Sequence, residues 1–155
     1  MNAASSIHAS CVLVGAGAVL IRGPSGAGKS RLALALLQAA QRGELAFARL
    51  VSDDRTRVEA AHGRLLARPV PELFGRIELR HIGIKTMPFE AVAVVTLVVD
   101  LTDSAPRLPE MVERTAQIAG ITLPRLALPS QADALPLVLA ELSELATGRW
   151  DTTAR

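Results

Sequence analysis

A glycine-rich segment close to the amino terminus contains the residues whose types and spacing most clearly indicate chemistry. It matches the pattern G-x-x-x-x-G-K-[ST] at every fixed position. Its members are Gly23, Pro24, Ser25, Gly26, Ala27, Gly28, Lys29 and Ser30. In such a loop, backbone N–H groups and the start of the following helix bind phosphate oxygens. We therefore expect Lys29 to reach the β- and γ-phosphates of a nucleotide, and the Ser30 hydroxyl to bind Mg²⁺.

An ordinary glycine turn before a helix is the alternative explanation for residues 23–30, which we call the phosphate loop. The composition argues against it, because the chain has fifteen Arg and only two Lys. A position under no constraint would more often hold Arg, yet the loop holds Lys29. An apolar strand before the loop and a helical pattern after it complete the expected context.

Two adjacent carboxylates, Asp53 and Asp54, follow a predicted strand about 25 residues after the loop. A strand-end carboxylate near bound phosphates can bind Mg²⁺ or orient a nucleophile. Two of them could divide these tasks. The alternative is a solvated acidic turn that forms ion pairs with Arg55 or Arg57, and the sequence leaves both explanations open.

One histidine and one glutamate are weaker candidates. His8 lies near the amino terminus, where a histidine is by default exposed. Glu78 belongs to an alternating segment and would by default be a surface charge of a strand. His62 and His81 have no supporting pattern, and we interpret both as structural or exposed.

The hydrophobic pattern predicts the elements that position these side chains. A strand, a turn and a strand over residues 11–22 lead into the phosphate loop, and residues 31–42 form a helix that Gly43 would cap. Further strands are predicted at 47–52, 77–80, 91–101 and 126–128, with short antiparallel strands over 55–71.

The carboxyl-terminal part is predicted to be mainly helical. We expect a helix over 106–119 and a last helix through residue 145, with Ser130 and Asp133 as its capping box. No repeat, low-complexity tract or long linker interrupts the chain. The sequence therefore predicts one catalytic domain over 1–148 and a frayed tail over 149–155.

Composition narrows the classes of function. The chain has 155 residues, half of them hydrophobic, and a net charge of +2 with scattered arginines. Aromatic residues are scarce, which argues against stacking on single-stranded nucleic acid. One cysteine, Cys11, excludes an intramolecular disulfide, and the apolar runs are too short to span a bilayer. We expect a cytoplasmic protein with no nucleic-acid or membrane partner.

Together the motifs resemble HPr kinase/phosphorylase, a bacterial enzyme family that acts on a seryl residue of the phosphocarrier protein HPr. The resemblance runs from about residue 7 to residue 142. His8 precedes the phosphate loop by fifteen residues, as a family histidine does, and Arg107 matches a family arginine. The other matching segments are Leu50-Val51-Ser52-Asp53-Asp54-Arg55, the signature Glu78-Leu79-Arg80-His81-Ile82-Gly83-Ile84, and the apolar strand at 95–101.

The resemblance implies an α/β fold, a P-loop kinase domain of the HPr kinase and phosphoenolpyruvate carboxykinase type, with a mixed sheet and flanking helices. It implies that Ser30 and Glu78 help hold Mg²⁺ and that ATP binds the phosphate loop. Asp54 would be the general base for the seryl proton, with Asp53 supporting it or the metal. His8 and Arg107 match catalytic positions, and a homo-oligomer, in the family a hexamer, is implied.

Four departures from the family pattern bear on function. We expect the chain to be a short form of the family that consists of the catalytic domain alone, without the usual amino-terminal domain. Arg31 and His81 stand where the family often has Glu and Gly. Residues 128–133 lack the glycine and arginine of the loop Pro-Val-x-x-Gly-Arg, which is associated with dephosphorylation. The kinase reaction is therefore expected, and the reverse phosphorylase reaction is expected to be weak or absent.

The functional hypothesis is thus an ATP-dependent protein serine kinase whose substrate is an HPr-like phosphocarrier. Because a P-loop alone serves many reactions, two alternatives stay open. One is a P-loop ATPase or small-molecule kinase, and the other is a non-catalytic module that senses nucleotides.

Overall fold

The computed structural model describes residues 5–148, which form eleven strands, two α-helices and two short 3₁₀ helices. The amino-terminal elements are β1 (Ser5–Ile7), β2 (Ala9–Val14), β3 (Gly17–Arg22), α1 (Lys29–Gln41) and β4 (Ala48–Ser52). The middle elements are β5 (Thr56–Ala61), β6 (Arg64–Pro69), a 3₁₀ helix (Pro71–Leu73), β7 (Arg76–Leu79) and β8 (Gly83–Thr86). The last elements are β9 (Ala93–Leu101), a 3₁₀ helix (Met111–Arg114), β10 (Thr115–Ile118), β11 (Ile121–Leu128) and α2 (Leu135–Ala146).

Nine strands form one mixed sheet, with β7 and β8 as a separate antiparallel pair. The main path runs β1-β5-β6-β9-β3-β2-β4, and β11 joins it through β9 and also pairs with β10. Strand β9 pairs with β6 near its start and with β11 near its end, so the sheet branches there. This mixed sheet with flanking helices confirms the predicted fold class.

Four strand ends meet at one edge of the sheet. β9 and β11 run parallel to β3. Strand β4 has the same direction as β3, because both are antiparallel to β2. The carboxyl ends of β3, β4, β9 and β11 therefore bring together the phosphate loop, the aspartate pair and the segments that follow β9 and β11. Ligands of α/β sheets commonly bind in a crevice at such an edge.

The core lies on both faces of the sheet and is aliphatic, as the composition predicts. Val19 and Ile21 of β3 and Leu97 of β9 belong to the buried cluster that packs against α1 and α2. Leu20 and Val98, which follow Val19 and Leu97 and pair with each other, belong to the cluster on the opposite face. This alternation is expected for strands that are buried on both sides.

An ion-pair cluster lies beside the phosphate loop and joins strands β3, β9 and β11. The Asp100 carboxylate, whose side chain is 13% exposed, accepts hydrogen bonds from the guanidinium groups of Arg22 and Arg125. Burial alone would raise the pKa of Asp100, but the hydrogen bonds and charges of Arg22 and Arg125 outweigh it, so the pKa lies below its usual value. Arg22 directly precedes Gly23, so this cluster anchors the start of the loop.

We expect Asp100→Asn to lower the free energy of unfolding at neutral pH by about 3 kcal/mol, near the lower end for a broken buried ion pair. The folded pKa of Asp100 lies below the unfolded one, so its contribution is present above the unfolded pKa of about 4 and is lost as pH falls through the folded value. Urea unfolding from pH 7 to pH 2 measures this. The difference between wild type and variant should shrink toward low pH, and a constant difference would contradict the assignment.

Two predictions for the carboxyl-terminal part were wrong. Residues 106–119 do not form an α-helix. They contain a 3₁₀ helix and β10, which joins β11 through a two-residue turn at Ala119 and Gly120. Both turn residues have positive φ, as in a type I′ hairpin. The β-branched Thr115 and Ile118 suit the hairpin better than a helix. Strand β11 is correspondingly longer than the predicted 126–128.

The predicted capping box was also wrong. Helix α2 begins after Ala134, and no side chain caps it. The predictions for α1, for the hairpin before it and for the antiparallel strands after Arg55 are confirmed. His62 and His81 are exposed turn residues with positive φ, as interpreted. The predicted frayed tail, 149–155, lies outside the described residues.

Candidate active site

The phosphate loop connects β3 to α1, and its lysine is folded over it. Lys29 is the first residue of α1 and is only 6% exposed. Its Nζ donates hydrogen bonds to the carbonyl oxygens of Gly23 and Pro24, at 2.8 and 3.1 Å. Gly28 precedes the helix with a φ of 109°, a conformation that favours glycine. The ammonium group thus lies within the concave loop, where a phosphate would meet it.

The protonation of Lys29 reflects two opposing influences. Burial lowers the pKa of Lys29 from its usual value, and the negative charges of Asp54 and Asp53 act in the opposite direction. The two aspartates are therefore close enough to act on the lysine electrostatically. A bound polyphosphate would add further negative charge and favour the protonated ammonium.

Asp53 is fixed between three hydrogen-bond donors. It is 4% exposed, and its Oδ1 accepts from the hydroxyls of Ser10 and Ser30, both at 2.7 Å. Its Oδ2 accepts from the backbone N–H of Glu78 at 3.0 Å. Because both carboxylate oxygens are engaged, Asp53 is held in one orientation beside the hydroxyl that the motif assigns to the metal.

Asp54 has a different environment from its neighbour. Its side chain is 63% exposed, and its Oδ1 lies 2.7 Å from Nε2 of His8. Its φ is 67°, in the left-handed region that Asp tolerates better than most residues. Its backbone N–H donates to the Ser10 hydroxyl at 3.1 Å, which helps to hold this turn. Asp54 therefore presents a carboxylate to solvent at the mouth of the site.

Ser10 is a site residue that the sequence did not reveal. Its hydroxyl donates to Asp53 and accepts from the N–H of Asp54, so it links the two aspartates. It is fully buried in β2, opposite Ile21 at the end of β3. A single polar residue within a buried strand is the signal that could have drawn attention to it, because buried hydroxyls need partners.

A metal ion would find oxygen ligands at Ser30 and Asp53. No cluster of three or more His, Cys, Asp or Glu that could hold a metal occurs in residues 5–148. Mg²⁺ at phosphate sites typically uses one or two protein oxygens, substrate phosphates and several waters. The adjacent Ser30 hydroxyl and Asp53 carboxylate fit that pattern.

Comparison with known proteins places the chain in a family. The family model described as HPr Serine kinase C-terminal domain matches residues 1–142. The chain belongs to this family. Membership in the HPr kinase family implies a nucleotide-using kinase. A search of curated proteins finds no match.

A solved structure has the same fold as this HPr kinase domain. It is described as the Hpr(Ser) kinase/phosphatase from Coxiella burnetii and shares 27% sequence identity. The match covers 96% of each chain with a TM-score of 0.74. Among residues 5–148 of the present chain, no helix has the length and apolar character needed to cross a membrane.

Two further residues predicted from the HPr kinase resemblance, Glu78 and Arg107, differ in whether they contact the aspartate pair. Glu78 contacts Asp53 through its backbone, while its carboxylate is exposed and has no hydrogen bond or ion pair to the described residues. Arg107 is exposed in the segment after β9 and likewise makes no such contact within residues 5–148. Hydrogen bonds thus connect His8 to Asp54 and Ser30 to Asp53, and Ser10 connects the two aspartates. The charges of both aspartates act on Lys29. Arg107 has no such contact within the described residues.

Arg80 of the signature segment lies beside the phosphate loop, which its motif did not indicate. A Cβ atom placed on Gly26 would be 3.7 Å from Nη2 of Arg80. The guanidinium group therefore lies against the tip of the loop. Its charge would add to the positive potential that the loop and Lys29 would offer a bound phosphate.

Proposed function

We propose that this protein is an ATP-dependent serine kinase whose substrate is a seryl hydroxyl of an HPr-like phosphocarrier. The observation that carries the proposal is the division of the aspartate pair. Asp53 is buried against Ser30 of the phosphate loop, and Asp54 is exposed and paired with His8. One carboxylate is suited to the metal side of the site and the other to an incoming protein substrate.

The proposed reaction follows from these positions. Lys29 and the loop amides bind the β- and γ-phosphates of ATP. Mg²⁺ held by Ser30 and Asp53 would neutralise charge that develops on these phosphates. Asp54 accepts the seryl proton while the seryl oxygen forms a bond to the γ-phosphorus and the bond to the β-phosphate oxygen breaks. The products are a phosphoserine and ADP.

The exposure of Asp54 favours a protein substrate over a small molecule. A small-molecule kinase commonly closes a lid over its substrate to exclude water. A docked protein can itself cover the phosphates, so an open carboxylate such as Asp54 suits it. The alternatives that remain are a P-loop ATPase or small-molecule kinase, and a non-catalytic nucleotide-sensing module.

Labelled ATP tests the substrate directly. The protein is incubated with Mg²⁺, γ-labelled ATP and purified HPr, either wild type or with its target serine replaced by alanine. We expect label on wild-type HPr alone. Binding of ATP without labelled HPr would contradict the proposal and favour one of the alternatives.

The reverse reaction is expected to be weak or absent. Residues 128–133 lack the glycine and arginine that the resemblance associates with phosphorolysis. Inorganic phosphate added to phosphorylated HPr in the same assay should therefore release little or no HPr. A homo-oligomer, which the resemblance implies to be a hexamer, and a cytoplasmic location remain predictions that accompany this function.

A further inference from the structure

A cavity of about 290 Å³ opens beside the phosphate loop, and neither Asp53 nor Asp54 lines it. Its apolar lining includes Leu32 and Ala35 of α1, Leu101 at the end of β9, and Leu135 at the start of α2. Its polar lining includes Arg31 of α1 and Asp133 of the segment after β11. Ligand sites in proteins have a similar character, with mostly apolar walls and a few polar groups, and volumes of roughly 300–1,000 Å³.

The cavity is continuous with the site where the phosphates would bind. It begins at Ala27 and Gly28 of the loop, and the backbone N–H of Gln131 donates to the Ala27 carbonyl at 2.9 Å. That hydrogen bond ties the segment after β11 to the loop. The cavity therefore lies at the carboxyl edge of the parallel strands β3, β9 and β11, the usual place for ligands of such sheets.

We propose that this cavity binds the nucleoside part of the nucleotide, with its base and sugar between α1 and the segment after β11. The inference rests on the proposed function, because it requires that the loop bind the phosphates. A nucleoside attached to phosphates in the loop must leave it on one side. The cavity adjoins the loop at Ala27 and Gly28 and is not lined by Asp53 or Asp54, so a nucleoside bound there would leave the aspartates to the proposed protein substrate.

Arg31 lies where the phosphates would join the sugar. A Cβ atom placed on Gly28 would be 3.4 Å from Nη2 of Arg31, so the guanidinium is folded back over the end of the loop. A cation at this position suits the α-phosphate. Asp133, whose carboxylate can only accept hydrogen bonds when ionised, suits the hydroxyl or amino donors of a nucleoside. The leucines and Ala35 would contact the faces of the base.

Calorimetric titration can distinguish binding in the cavity from binding at the loop, because Mg²⁺-tripolyphosphate has the phosphates of ATP without the nucleoside. We expect wild-type protein to bind Mg²⁺-ATP more tightly than Mg²⁺-tripolyphosphate. Ala35→Phe fills the cavity and should weaken ATP binding by about tenfold or more while leaving tripolyphosphate affinity within about twofold. Ala40→Phe, a half-buried position of the same helix outside the cavity, is the matched control and should change neither affinity.

Asp133→Ala provides a second variant at an exposed position, where folding is not at risk. It should also weaken binding of ATP and not of tripolyphosphate. Unchanged ATP affinity in both cavity variants, or equal wild-type affinity for the two ligands, would overturn the cavity proposal and leave the kinase proposal intact. Failure of the wild type to bind either ligand would instead overturn the phosphate loop assignment, and the cavity proposal with it.

Discussion

Lys29→Ala is expected to abolish phosphoryl transfer and to weaken nucleotide binding. The Lys29 ammonium is folded over the loop by hydrogen bonds to the carbonyls of Gly23 and Pro24. It is the cation of the loop itself, and its charge-assisted hydrogen bonds to phosphate are stronger than hydrogen bonds between neutral groups. A buried positive charge beside developing negative charge stabilises a transition state more than it would in water. We expect transfer to fall by roughly 10³-fold or more, in line with the loss of other groups that stabilise such charge.

The chain offers a matched control for this experiment, because its second lysine is exposed on the surface, whereas Lys29 is buried. Lys85 is exposed on β8, and Lys85→Ala removes the same charge from the surface. The rate of labelled phosphate transfer and the ATP dissociation constant should be measured for both variants. Equal, near-wild-type values for Lys29→Ala and Lys85→Ala would show that residues 23–30 are not the phosphate site.

Asp54→Asn should retain ATP binding and lose transfer to the serine. A seryl hydroxyl is a poor nucleophile, and a general base typically contributes about 10²–10⁴-fold. Asparagine keeps the size of the side chain and a hydrogen-bond partner for His8 but cannot accept the proton. The predicted signature is a fall in kcat of that order with little change in ATP affinity.

Asp53→Asn is the informative comparison, because Asp53 is buried and already bonded to three donors. The NH₂ group of an asparagine there would face a hydrogen-bond donor, either the two serine hydroxyls or the Glu78 N–H. The substitution would also remove the negative charge that Asp53 offers to Mg²⁺. We therefore expect Asp53→Asn to raise the Mg²⁺ concentration needed for half-maximal activity, which Asp54→Asn should not do. Glu72→Gln, an exposed carboxylate-to-amide change, serves as the control. A reversed pattern would exchange the proposed roles of the two aspartates.

Several parts of the site could be predicted from the sequence because their determinants are local. Every residue of the phosphate loop lies within one run of eight, so its spacing alone specifies the turn, the cation and the helix start. The strand before Asp53 and the helical pattern of α1 were equally readable, because hydrophobic periodicity reports which side of an element is buried. The resemblance to the HPr kinase family then supplied roles that these patterns alone left open.

The carboxyl-terminal part shows where local pattern was insufficient. Residues 106–119 have enough helix-forming residues to favour a helix, but Thr115 to Ile118 pair with Ile121 to Pro124 across the turn at Ala119 and Gly120. Strand β11 is then paired with β9, which lies more than twenty residues earlier. Such distant pairing overrides helix propensity, because it buries apolar side chains and satisfies backbone groups together.

Only the tertiary structure decided how the two aspartates differ. Residue type and spacing alone present them as equivalent neighbours, and the family resemblance implies different roles without showing their environments. The difference between these environments depends on partners far along the chain. Ser10 is 43 residues from Asp53, Ser30 is 23 residues away, and His8 is 46 residues from Asp54. Strand pairing of β2 with β3 and β4 brings these side chains to one edge of the sheet. The sequence determined which residues could do chemistry, whereas folding determined that one carboxylate is buried against the loop and the other faces the solvent.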